Sequence, residues 1–96
     1  MNLVLDNWTI RIDFSDTSSA EVISLNDFMD LPEYDVRYRY RYHKSQNARL
    51  MIYDENNDLV MKLNTECFIE SIQYLKNRIH ITIDLYRYHR LDNKDK

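Results

Sequence analysis

The 96-residue sequence predicts an α+β domain: a five- or six-stranded, mostly antiparallel twisted sheet with one helix packed on one face. An all-β arrangement is the alternative. Three observations carry this expectation. Several segments alternate apolar and polar residues with period two, as half-buried strands do. Residues 65–76 instead place apolar side chains at helical spacing. The chain has one proline and no glycine, so its turns fall to clusters of Asn, Asp and Ser. Strands grouped apart from a helix give α+β rather than an alternating parallel fold. The length suits a single compact domain over residues 1–91, with 92–96 a frayed tail.

Leu3 to Leu5 is a short apolar run closed by the turn pair Asp6-Asn7. Trp8, Ile10, Ile12 and Phe14 then alternate with Thr9, Arg11 and Asp13, which reads as a strand. Residues 15–19 are a polar turn. Residues 20–25 have two readings. Ser18 and Glu21 have capping-box spacing, which favours a helix from about residue 19. Val22 and Ile23 are β-branched and follow a five-residue loop, which favours a hairpin return, and the strand is preferred. Asn26 can cap a short helical turn, which Pro32 ends.

Val36, Tyr38, Tyr40 and Tyr42 alternate with Arg37, Arg39, Arg41 and His43, the clearest period-two run in the chain. It predicts a strand with tyrosines on one face and arginines on the other. Residues 50–53 and 59–63 flank Asp54-Glu55-Asn56-Asn57-Asp58 and predict a hairpin in which Asn supplies the positive φ. Asn64-Thr65 offers an N-cap for a helix over 65–76, with Glu66 and Glu70 early and Lys76 and Arg78 late. Ile79, Ile81, Ile83 and Leu85 alternate with His80, Thr82 and Asp84 and predict a last strand. It would set Tyr86 and Tyr88 on its polar face.

The net charge of −3 conceals an uneven distribution. Residues 1–35 hold eight acids and one base; residues 36–44 hold four bases and no acid; the remainder is balanced. An acidic block of this kind repels itself, pairs with bases elsewhere in the fold, or faces a basic partner.

Little in the chain points to catalysis. The absence of glycine excludes the phosphate-cradling loops built on it. A single Cys67 excludes a disulfide framework and a multi-thiolate metal site within one chain. His80-Ile81-Thr82 has the form used by two-histidine phosphoesterases but lacks a second copy. His43, Cys67, His80 and His89 contain no ligand pair at metal-binding spacing. Asp92-Asn93-Lys94 is the only acid-x-Lys triplet and lies in the tail. The expectation is a non-enzyme with no metal and no cofactor. No apolar run reaches the length of about 20 residues that spans a bilayer. The opening residues do not resemble a signal peptide, so a cytoplasmic setting is expected. The many Asn, Asp, Ile, Tyr and Lys codons are AT-rich and hint at a low-GC bacterium or its phages.

The function expected from these readings is an intracellular binding or inhibitor protein, as monomer or homodimer. Its acidic N-terminal surface would occupy the basic cleft of a nucleic-acid-handling enzyme. Asp27, Asp30, Glu33 and Asp35 would mimic phosphates, with Tyr34 as the anchor. A phage or mobile-element anti-defence factor, for example an anti-CRISPR type blocker, fits such a chain. One alternative is a single-stranded nucleic-acid-binding module using Arg37, Arg39, Arg41, Tyr86, Arg87 and Tyr88. Another is a structural homo-oligomer built by pairing sheet edges.

Overall fold

The computed structural model describes Leu5 and residues 7–94, with side chains described as far as residue 89. In chain order the elements are β1 (Thr9–Phe14), β2 (Glu21–Ser24), α1 (Leu25–Asp30), α2 (Glu33–Tyr40), β3 (Ala48–Tyr53), β4 (Leu59–Thr65) and α3 (Ile72–Lys94). The four strands form one antiparallel sheet in the order β2-β1-β3-β4. The α+β class, the strand over residues 8–14, the 50–63 hairpin and the preferred strand reading of 20–25 agree with the structure. No helix among the described residues is long and apolar enough to cross a membrane.

Alternation along the strands gives the sheet one buried and one open face. Ile10, Ile12 and Phe14 of β1 and Ala48, Leu50 and Ile52 of β3 are buried on the helix-bearing face. Met61 and Leu63 of β4 lie beside Ile52 and Leu50 on that face. Helix residues Leu25, Phe28, Val36, Tyr40, Ile72, Leu75, Ile79 and Ile83 complete the core. Phe68, in the turn before α3, is the aromatic hub: its ring lies 5.1 Å from Phe14, 5.2 Å from Tyr40 and 6.4 Å from Phe28.

The turns follow from side chains that replace glycine. Asn57 adopts φ 64° in the β3–β4 turn, as the asparagine-rich loop predicts, and Asn7 adopts φ 68° before β1. Asp54 is buried at the base of the first of these turns. Its Oδ1 accepts the N–H groups of Asn56 (2.9 Å) and Asp58 (3.0 Å), and its Oδ2 accepts the Tyr86 hydroxyl (2.8 Å).

Three corrections to the sequence reading follow. Four strands are present among the described residues rather than five or six, and three helices rather than one. Residues 36–43 are not a strand: 36–40 belong to α2 and 41–43 to the turn after it. Residues 79–88 are not a strand but the middle of α3, which also takes in 92–94 of the tail. Both errors share one cause. A helix turns about 100° per residue, so side chains two apart fall on nearly opposite sides and side chains four apart on the same side. Apolar residues at every second position therefore also describe a helix with two apolar stripes. In α2 the buried stripe is Val36 and Tyr40; in α3 it contains Ile79 and Ile83. Burial of those stripes overrides the β-preference of the isoleucines.

The helix expected over 65–76 starts later. Thr65 is still paired with Ala48 at the end of β4. Its hydroxyl accepts the Cys67 N–H at 3.1 Å and opens a turn, and Gln46 accepts the next two amides: its carbonyl takes Phe68 N–H at 3.0 Å and its Oε1 takes Ile69 N–H at 3.2 Å. Regular helix begins at Ile72.

Candidate interaction surface

Pro32 sits at the N-cap of α2 with φ −62°, and the first turn carries Glu33 and Asp35 while the last carries Arg37 and Arg39. Acids first and bases last suit the helix dipole. Glu33 and Arg37, one turn apart, are joined at 3.2 Å. Those two signals, with the start at Pro32, mark a helix in the sequence, but the reading followed the tyrosine alternation instead.

Winding the Arg/Tyr run into a helix redistributes it. Tyr40 turns inward and is 1% exposed, whereas Tyr34, Tyr38 and Tyr42 are 71%, 68% and 76% exposed. Tyr34 and Tyr38 lie one turn apart on the outer side, and Arg41 follows in the same stripe. The Arg41 guanidinium lies over two rings, 3.8 Å from the centre of Tyr38 and 4.0 Å from that of Tyr42, and donates to the Tyr42 hydroxyl. Arg39 points the other way and binds Glu21 of β2, with Nε to Oε1 at 3.1 Å. This contact raises the Arg39 pKa and ties α2 to the sheet edge.

The acidic residues divide into those with a side-chain partner and those without one among the described residues. Glu33 and Glu21 are taken by Arg37 and Arg39. Asp16 accepts His43 Nδ1 at 2.9 Å and the Lys44 N–H at 2.7 Å; the histidine contact holds its carboxyl below the ordinary carboxylate value. Asp27 in the first turn of α1, Asp30 at its end and Asp35 in α2 have no cation within 4 Å among the described residues. Asp27 and Asp30 are exposed and Asp35 is half-buried. Lys76 donates to the carbonyls of Met29 (3.2 Å) and Leu31 (2.5 Å) at the end of α1. Burial lowers its pKa, opposed by the charge of Asp30.

The two halves of the Arg/Tyr set are not brought together. Tyr40 packs on Phe14, ring centres 5.5 Å apart, and Tyr86 packs edge-on against Trp8 at 5.7 Å. Trp8 and Phe14 are six residues apart along β1, which at about 3.3 Å per residue separates the two places by about 20 Å. Tyr86 is bound to Asp54 rather than presented to solvent. Arg87 is half-buried, and its Nη1 has no hydrogen-bond partner among the described residues; Tyr88 is exposed.

A second surface was not anticipated. Among the described residues no helix covers the opposite sheet face, which carries Arg11, Met51 and Lys62 in one row across β1, β3 and β4, then Asp13, Arg49 and Asn64 in the next. Tyr53 lies beside Thr9 in the row on the other side. Arg11, Arg49 and Lys62 are exposed and have no ion-pair partner within 4 Å among the described residues. Strand alternation predicts which side each residue occupies; only the register shows that three cations from three strands converge.

Burial raises the Tyr40 phenol pKa above its ordinary 10.0, and the nearby Glu21 carboxylate raises it further. The folded state therefore favours the neutral phenol. That contribution to stability is complete below pH 10 and is lost as pH rises above it. Tyr40→Phe, which has no proton to lose, is expected to flatten the alkaline limb of a stability-against-pH curve. An unchanged limb would show that Tyr40 does not govern it.

Among the described residues no group of three or more His, Cys, Asp or Glu side chains is placed to hold a metal ion. Compared with known proteins, the chain matches no family model, no curated protein and no solved structure.

Proposed function

We propose that this chain is a non-catalytic binding protein that docks on another protein through the outer side of α2 and the adjoining end of α1. The observation that carries the reading is the Tyr38–Arg41–Tyr42 stack on a helix face with Tyr34 alongside. Tyr and Arg are the residue types that most often anchor protein interfaces, because they offer large contact area and several polar contacts. Stacking fixes the guanidinium in advance, which reduces the ordering cost of binding. Asp27 and Asp30 of α1 and Asp35 of α2 have no cation within 4 Å among the described residues and fit a partner that is basic where it meets them. A basic cleft of this kind is what nucleic-acid-handling enzymes carry. Blocking one, as a phage or mobile-element anti-defence factor does, is the finer role proposed. Its support is the acidic block over residues 1–35 and the three carboxylates with no cation within 4 Å among the described residues.

A second reading, single-stranded nucleic acid, is favoured by the open sheet face rather than by the Arg/Tyr run. Its three unpaired cations and Tyr53 offer phosphate contacts and a ring for stacking.

One pull-down from the native host separates the two. Under the first reading, Tyr38→Ala with Arg41→Ala lowers recovery of the partner at least tenfold. Charge reversal at Asp27, Asp30, Glu33 and Asp35 weakens recovery most at low salt, and nuclease treatment changes nothing. Under the second reading, nuclease treatment abolishes capture, as does Arg11→Glu with Lys62→Glu. Recovery of the same protein by the α2 variant and the parent chain would overturn the first.

A further inference from the structure

The helix α3 is apolar on two sides. Ile72, Leu75, Ile79 and Ile83 are buried against the sheet. The opposite side carries Tyr74, Ile81, Leu85 and Tyr88, exposed to 59%, 58%, 56% and 62%. Arg78 lies in the same line. From Tyr74 to Tyr88 the steps are four, three, four and three residues, the spacing of the seam positions in a coiled coil. The stripe is about 21 Å long at a rise of 1.5 Å per residue. An ordinary surface helix has one apolar stripe and a polar outer side.

We infer that this stripe pairs with the same stripe of a second copy, antiparallel, about a two-fold axis level with residue 83. From Arg78 to Tyr88 the order of its residues is self-complementary in that direction. Ile81 of one copy meets Leu85 of the other, and this layer occurs twice at the centre. Arg78 meets Tyr88 of the second copy at each end of that centre. This repeats between copies the cation–π contact that Arg78 makes with Tyr74, 5.9 Å from guanidinium to ring centre. A parallel pair would set Arg78 against Arg78, two like charges in one layer. In this register Ile81, Leu85 and Tyr88 of each copy are covered, each exposing on the order of 100 Å², so the pair buries roughly 600 Å². That is well below the 1,200–2,000 Å² or so of a stable complex, so the dimer is a weak, reversible one. The stripe is separate from the α2 surface, and the inference does not depend on the proposed partner.

Sedimentation of the full chain from about 5 to 500 μM tests it, since a weak dimer accumulates as the concentration rises across that span. The expected result is a rise towards twice the chain mass. Ile81→Glu with Leu85→Glu, both at exposed positions, is expected to raise Kd at least tenfold while far-ultraviolet helicity and the melting temperature stay unchanged. A parent chain that remains monomeric throughout, or a variant that associates as the parent does, would overturn the inference. Cross-linking tests the direction. In a Cys67→Ser background, chains carrying Ile81→Cys are mixed with chains carrying Leu85→Cys. The antiparallel pair gives mainly the mixed disulfide; mainly like-with-like disulfides would overturn it.

Discussion

Phe68→Ala is expected to destabilise the fold by about 3–5 kcal/mol, the range for removing a fully buried aromatic ring. Phe68 is 0% exposed and touches one ring from each of β1, α1 and α2. The turn that carries it is fixed by hydrogen bonds from Phe68 N–H and Ile69 N–H to Gln46, so the backbone has little freedom to collapse into the cavity. The loss is a large fraction of the 5–15 kcal/mol or so that holds a typical domain together. Phe68→Leu keeps most of the volume and is expected to cost less than half as much. Urea unfolding checks both: the midpoint falls while the slope stays constant. A loss below about 1 kcal/mol for Phe68→Ala would mean that the three-ring contact is not the keystone of this core.

Asp54→Ala is the second large effect, at about 3 kcal/mol. Two turn amides and the Tyr86 hydroxyl converge on this carboxylate, and a buried donor left without its acceptor costs about 1–3 kcal/mol. The side chain does two jobs. It closes a turn that has no glycine, and it anchors α3 to the β3–β4 hairpin through Tyr86. Asp54→Asn keeps an oxygen for the turn amides and is expected to cost less than alanine. Tyr86→Phe removes only the link to α3 and is expected to cost about 1–1.5 kcal/mol, one ordinary hydrogen bond. A double-mutant cycle should then show coupling between the two positions. Additive effects would mean that the turn and the helix are held independently.

Much of the sheet was legible because a half-buried strand writes its burial directly into the sequence. Ile10, Ile12 and Phe14 face the core as alternation predicts, and the Asp54–Asp58 turn forms where asparagine can replace glycine. The helices were misread where two i,i+4 stripes interleave. Ile79/Ile83 with Ile81/Leu85, and Val36/Tyr40 with Tyr38/Tyr42, imitate a strand on paper. What separates the readings is the ionic spacing, Glu33 with Arg37 and His80 with Asp84, each one helical turn apart. The acidic block was legible as composition, but the partners of its side chains were not. That Glu21 would meet Arg39, and Asp16 His43, depends on how α2 crosses the sheet edge, which no local pattern records. The cation cluster on the open face was invisible for the same reason, since Arg11, Arg49 and Lys62 come into adjacent rows only through strand register.

The claim that α2 is the contact surface is tested most directly by placing a photo-cross-linking side chain at Tyr38 in the full chain and irradiating it in the native host. Tyr34 and Tyr42 serve as companions, and Asn56, at the far end of the sheet, as the control. The α2 positions should form an adduct with one and the same protein, and Asn56 should not. No adduct at any α2 position, or the same adduct with equal yield at Asn56, would contradict the account.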